Sequence, residues 1–181
     1  MIEFPLHSLN TAPPSSRALL ADALAAHGRL PNIARTMAES PAALRGFEHL
    51  RLAFAESSLT PLEQQVVYLT VSKVNACHYC TTQTGMFDDS SEAREAAEAI
   101  RADKPIADPK LQTLRRFTAA ITAERGWISE NLIDDFIAAG YDRVQVLDVI
   151  SGIALATMSS YINHIAATPI DGKAGWSALD G

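Results

Sequence analysis

The chain has 181 residues, 48% hydrophobic and 20% charged, enough to bury a core without disulfide or metal staples. A formal net charge of −6 and a pI near 5.3 exclude a basic nucleic-acid footprint and give no reason to expect an anionic membrane as partner. Met1-Ile2-Glu3-Phe4-Pro5 lacks the basic segment and apolar run of a secretory signal, and two cysteines three residues apart do not make a secreted disulfide scaffold, so a cytoplasmic protein is expected.

Residues 1–14, ending in Ala12-Pro13-Pro14, read as an extended arm, and 15–181 as a single helical domain. Ser15 and Ser16 can cap a helix from Arg17 to His27 that closes on Gly28. Pro31 opens a short helix to Met37, and Pro41 another to Ala55, both at first-turn positions where a missing N–H costs nothing. Thr60-Pro61-Leu62-Glu63 has the form of a capping box, with Thr60 as N-cap and Glu63 at N3. That helix runs to about Val74. Asn75-Ala76 interrupts it, and the cysteine pair opens a further helix to Met86. Ser91 to Arg101 forms the next, before the break at Lys104-Pro105.

Asp108-Pro109 starts a helix to Arg125, stopped by Gly126, and Ser129 caps a short one ending before Gly140. Asp142-Arg143-Val144-Gln145 is a second capping box and opens the longest helix, to about Ala167. Its most apolar stretch, Val144 to Met158, contains Asp148, Ser151 and Gly152 and reads as too short and too polar for a membrane span. The small residues Ser151, Gly152, Ala154, Ala156, Ser159 and Ser160 allow close helix approach, in the interior or at a subunit contact. No alternating β-branched run is bounded by hairpin turns. The fold class is all-α.

Cys77-His78-Tyr79-Cys80 is the segment that carries chemistry. Two thiols three residues apart share a helix face and can close a disulfide. A helix start also offers unpaired N–H groups and a positive dipole end, which stabilise a thiolate and favour the earlier cysteine. Two buried structural cysteines are the competing reading. Zinc lacks a second ligand pair, and haem attachment fails because Thr81 stands where a histidine is needed. A thioredoxin site follows a strand, which is absent here. Neither a metal nor another cofactor is expected.

Leu59-Thr60-Pro61-Leu62-Glu63-Gln64-Gln65-Val66-Val67 followed by Thr70-Val71-Ser72-Lys73-Val74-Asn75-Ala76-Cys77-His78-Tyr79-Cys80 resembles the core of the carboxymuconolactone decarboxylase family. Within it, the chain is similar to the AhpD-like alkylhydroperoxidases. The match covers roughly residues 45–125, with a looser likeness to peroxidase-related members at Tyr161-Ile162-Asn163-His164 and Thr168-Pro169-Ile170-Asp171. The resemblance implies a helical bundle with the CxxC pair at a helix N-terminus, assembled as a trimer or hexamer. It also implies that Cys80 attacks a hydroperoxide, that Cys77 resolves the product as a disulfide, and that an external dithiol or thioredoxin-like donor reduces it.

The chain departs from the peroxidase pattern twice. Gln65 stands where the pattern has a glutamate and Thr84 where it has a histidine, and neither titrates near neutral pH as that proton relay does. Glu63 is the nearest carboxylate, although its capping position gives it a structural task. His78, between the thiols, supports a thiolate if protonated, or else simply faces solvent from the first helical turn. His164 could approach from another segment or subunit. Tyr79 and Tyr161 could orient a ligand but are first candidates for packing. A thiol-dependent peroxidase or disulfide reductase of reduced turnover is the leading expectation. A non-catalytic oligomeric redox sensor or adaptor is the alternative. Lactone decarboxylation is disfavoured because members with that activity do not rely on the cysteine pair.

Overall fold

The computed structural model describes residues 3–82 and 86–172, the side chain of His27 excepted. Among these residues there are nine helices and no strand. Two compact units divide them: Leu50–Ser160 is one, and residues 3–49 with 161–172 are the other. Helices α3 (Pro41–Ala55) and α9 (Arg143–Ala166) pass from one into the other.

The smaller unit contains α1 (Pro14–His27) and α2 (Asn32–Met37), which pack together. α1 begins on Pro14 with Pro13 as N-cap, so Ser15 and Ser16 are not its caps. Both lie inside its first turn, and the Ser16 hydroxyl donates instead to the Ala38 carbonyl at 2.7 Å. The arm ahead of α1 is pinned by Arg35, whose Nε donates to the His7 carbonyl at 3.0 Å. His7 Nε2 pairs with the Glu39 carboxylate at 2.7 Å. Buried Leu20, Ile33, Met37 and Leu44 supply apolar core.

The larger unit is organised on α4 (Pro61–Val74), which packs against α6 (Ser91–Arg101) and α7 (Pro109–Glu124). Every residue of α4 from Glu63 to Ser72 is buried, the signature of a central helix with no solvent face. Both expected capping boxes form: Glu63 N–H donates to Thr60 Oγ1 at 3.2 Å, and Thr60 N–H returns to Glu63 Oε2 at 2.9 Å. At α9, Asp142 N–H donates to Gln145 Oε1 at 3.0 Å and Gln145 N–H to Asp142 Oδ1 at 2.9 Å. α8 (Glu130–Ala138) has Ser129 as N-cap without a side-chain cap bond. It lies on α7, where Phe117, Phe136 and Tyr141 stack with ring centroids 4.1 and 4.2 Å apart.

α9, at 24 residues, is long and apolar enough to cross a membrane by length and composition alone, although the Val144–Met158 stretch within it carries Asp148. Two of its non-apolar positions are nevertheless spent on protein. Asp148 accepts both the Ser58 N–H (2.9 Å) and the Ser58 hydroxyl (2.5 Å), and Gly152 packs against Phe54 and Val67. A core helix satisfies the same length test as a spanning one.

Candidate active site

The cysteine site is built by the way α4 ends. Ala76 N–H donates to the Lys73 carbonyl at 3.0 Å and Cys77 N–H to the Ser72 carbonyl at 2.9 Å. Ala76 sits at φ 54°, so this is a Schellman cap with alanine in the left-handed position usually given to glycine. The turn leads directly into α5 (His78–Thr82), with Cys77 just ahead of the helix and Cys80 at its third residue. The described helical residues stop at Thr82, and Met86 lies outside any helix, so the expected helix to Met86 is corrected at its far end.

Cys77 acts as the cap of α5. Its Sγ accepts the Cys80 N–H at 3.2 Å and its carbonyl accepts Thr81 N–H at 3.0 Å. Cys77 and Cys80 are joined as a disulfide with their Cα atoms 5.3 Å apart, within the ordinary range for such a bond. Both residues are 0% exposed.

α9 presents hydroxyls to this pair. Ser159 Oγ lies 3.4 Å and Ser160 Oγ 3.8 Å from Cys80 Sγ. Ser160 donates to the Ala156 carbonyl at 2.7 Å. Tyr68 OH, from α4, is 3.3 Å from Ser159 Oγ. Burial pushes the Tyr68 phenol up to about 12, so it stays protonated through the physiological range. Asn75 Nδ2 donates to Thr157 Oγ1 at 3.4 Å, a further tie between the turn and α9. From α6, Arg101 Nε donates to the Thr81 carbonyl at 2.7 Å and sets a guanidinium beside the end of α5.

Of the residues singled out in the sequence, Cys77 and Cys80 are brought together. Gln65 is buried on the α4 face that also carries Tyr68 and Ser72. Its Oε1 accepts the Phe87 N–H at 3.1 Å, while its Nε2 is buried with no partner among the described residues. His78 is exposed although both sulfurs are buried, and His164 is exposed on the last turn of α9. Tyr79 is buried and Tyr161 exposed. Thr84 lies outside the described residues. Ser159 and Ser160, beside Cys80 Sγ, and Tyr68, beside Ser159, are neighbours of the cysteine pair that sequence reasoning misses. The spacing Gln65–Tyr68–Ser72 is a faint signal for Tyr68, since positions three and seven apart share a helix face.

Glu63 is occupied elsewhere. Its carboxylate accepts the Thr60 N–H and hydroxyl (2.9 and 3.0 Å) and pairs with Lys110 Nζ at 3.1 Å. Burial pushes its pKa up, but the Thr60 backbone bond and Lys110 together outweigh it and hold the group below its ordinary 4.5. Tyr141 rests beneath Lys110, 4.5 Å from its ring centroid, and burial together with the Glu63 charge raises its phenol far above normal. A depressed carboxylate stabilises the fold above the unfolded value, and that contribution is lost as pH falls through the folded value. Glu63→Gln is therefore expected to lose about 1–3 kcal/mol at pH 7, with the gap from the parent narrowing below pH 4.5. Urea melts at both pH values check it, and a gap independent of pH would contradict the charge argument.

No family model and no curated protein sequence matches the chain. Among solved structures, it is similar to the AhpD-core, peroxidase-related protein from Ralstonia eutropha JMP134, at 18% identity and a TM-score of 0.81, covering 94% of this chain and 92% of that one. A peroxidase-related protein from Silicibacter sp. TM1040 gives 18% identity and a TM-score of 0.78, covering 94% and 91%. A cysteine-to-alanine variant of the debrominase Bmp8, in complex with 2,3,4-tribromopyrrole, gives 15% identity and a TM-score of 0.73, covering 95% and 92%. The chain has the AhpD-like fold, all-helical with a CxxC pair.

Proposed function

We propose that this chain is a thiol-dependent peroxidase or disulfide redox protein that works through Cys80 and Cys77. The observation that carries this reading is the Cys77–Cys80 disulfide at the α4–α5 turn, its Cys80 sulfur set against hydroxyls of α9, on an AhpD-like fold. The Cys80 thiolate attacks the O–O bond of a hydroperoxide, giving Cys80 sulfenic acid and an alkoxide that takes a proton to leave as the alcohol. The Cys77 thiol condenses with the sulfenic acid, forming the disulfide and releasing water. A thioredoxin-like or small external dithiol then reduces it by two exchanges and is itself oxidised to a disulfide. Since neither sulfur is exposed, exchange with a bulky donor requires local opening at α5. Cytoplasmic location follows from the need for a reducing compartment.

The test is consumption of an organic hydroperoxide with a dithiol reductant, followed together with the thiol count of the protein. Reductant-dependent turnover is the expected result. A disulfide that forms and breaks reversibly without peroxide turnover favours the second reading, a redox sensor or adaptor. One observation speaks for that alternative: Gln65, at the relay position, is committed to the Phe87 backbone rather than to either sulfur.

A homo-oligomer is part of the same reading, trimeric or hexameric as the resemblance implies. Val144, Leu147 and Ile150 on α9 and Ile133 and Ile137 on α8 leave an apolar surface exposed, of the kind that marks contacts between copies. Sedimentation equilibrium is expected to give a multimer, and Leu147→Glu to dissociate it. A monomer at micromolar concentration removes this part of the proposal.

A further inference from the structure

We propose that the groove between α8 and the first turns of α9 is a self-complementary contact that seats a second copy of this chain across a two-fold axis, with Arg143 of each copy paired to Asp134 of the other. It rests on the reading of the chain as a homo-oligomer and names the contact. The groove has a volume of about 960 Å³ and lies wholly within the larger unit. Ile133 and Ile137 of α8 line one side, and Val144 and Val146 of α9 the other. Tyr141 is its floor, 3% exposed and stacked on Phe136 with ring centroids 4.2 Å apart. The recess is therefore formed before anything enters it.

A projection of matching chemistry stands beside the recess. Leu147 is 65% exposed and lies three residues along α9 from Val144, on the same helix face. Ile150, a further three residues on, is exposed as well. An apolar projection next to an apolar hollow on one surface suits an isologous contact, in which the projection of each copy enters the hollow of the other.

The charges at the groove select the partner. Asp142 is committed to the cap of α9, where its carboxylate accepts the Gln145 N–H at 2.9 Å. Asp134 and Arg143 also line the groove and are exposed, yet neither forms an ion pair among the described residues. A nucleic acid or an anionic surface selects positive charge alone. One free charge of each sign fits instead a copy of the same patch, since a two-fold contact makes every pair twice and sets Arg143 against Asp134 on both sides. The axis also fixes the count: of a trimer and a hexamer, only the hexamer contains a two-fold.

The experiment is sedimentation equilibrium on the full chain with two charge reversals, Arg143→Glu and Asp134→Arg. They are measured singly, combined in one chain, and as an equimolar mixture of the two single variants. Both positions are exposed, and parent helicity checks that the fold is kept. Each single reversal sets two like-charge pairs in the contact and is expected to raise its dissociation constant by at least ~10-fold. The combined variant rebuilds both pairs with their signs exchanged and restores the parent mass. The mixture does so too, because each single variant carries the charge that the other needs. Single variants that assemble like the parent overturn the proposal, as do a combined variant and a mixture that stay dissociated. A trimeric parent overturns the two-fold and leaves the homo-oligomer standing, whereas a monomeric parent removes both.

Discussion

Cys80→Ser is expected to abolish hydroperoxide turnover, by at least ~10³-fold, as deletion of a nucleophile does. Cys77→Ser should behave differently. It retains the attacking thiol, so each chain consumes one equivalent of peroxide and stops at the sulfenic acid, which has no neighbouring thiol with which to condense. A stoichiometric first turnover in Cys77→Ser, against none in Cys80→Ser, is the result that assigns the two roles. The structure also makes the opposite outcome physically meaningful. Cys77 Sγ receives a backbone N–H at a helix start, which by itself lowers a thiol pKa, whereas Cys80 Sγ lies 3.4 Å from the Ser159 hydroxyl. Should the single turnover belong to Cys80→Ser, Cys77 is the attacking thiol, set at the helix start. Quenched-flow peroxide assays with a sulfenic-acid trap separate these cases.

The largest effect on stability is expected at Gly152. A Cβ there would fall 2.6 Å from Phe54 Cζ and 2.7 Å from both Phe54 Cε2 and Val67 Cγ1. Neither neighbour can easily step aside: both are 0% exposed, and Phe54 is held edge-on to Phe87 with ring centroids 5.3 Å apart. Alanine gains ~1 kcal/mol over glycine inside a helix, but overpacking a filled core typically costs about 1–3 kcal/mol. Gly152→Ala should therefore destabilise by up to about 2 kcal/mol on balance. Each kcal/mol lowers Tm by roughly 2–4 °C for a chain of this size. Gly152→Val, with two further methyl groups to place, should cost more than ~3 kcal/mol. Gly46 is the internal control. It lies in α3 with nothing within 4 Å of an added Cβ, so Gly46→Ala should raise stability by about 0.5–1 kcal/mol. Thermal melts of the three variants check it, and a neutral Gly152→Ala would show that α9 can part from α3 and α4 at no cost.

These two positions separate what each level of description holds. The helix starts were legible because capping is a local matter: Thr60 with Glu63, and Asp142 with Gln145, complete their bonds within three residues. Ser15 and Ser16 read equally well as caps, yet Pro13 takes that place, because an incoming proline with fixed φ already starts the helix. Of the small residues in α9, sequence left interior packing and subunit contact both open. The structure divides them: Gly152, Ala156, Ser159 and Ser160 are buried, while Ala154 is exposed.

The cysteine pair, its helix start and the all-α class were determined by the sequence itself, since each rests on neighbours within one or two turns. What surrounds Cys80 was not. Tyr68 and Ser159 are separated by 91 residues and Cys80 and Ser159 by 79, and no local pattern marks one serine among several in a helix as the partner of a distant thiol. Only the packing of α4, α5 and α9 decides that, because a hydrogen bond needs a few tenths of an ångström of placement, which hydrophobic spacing does not encode.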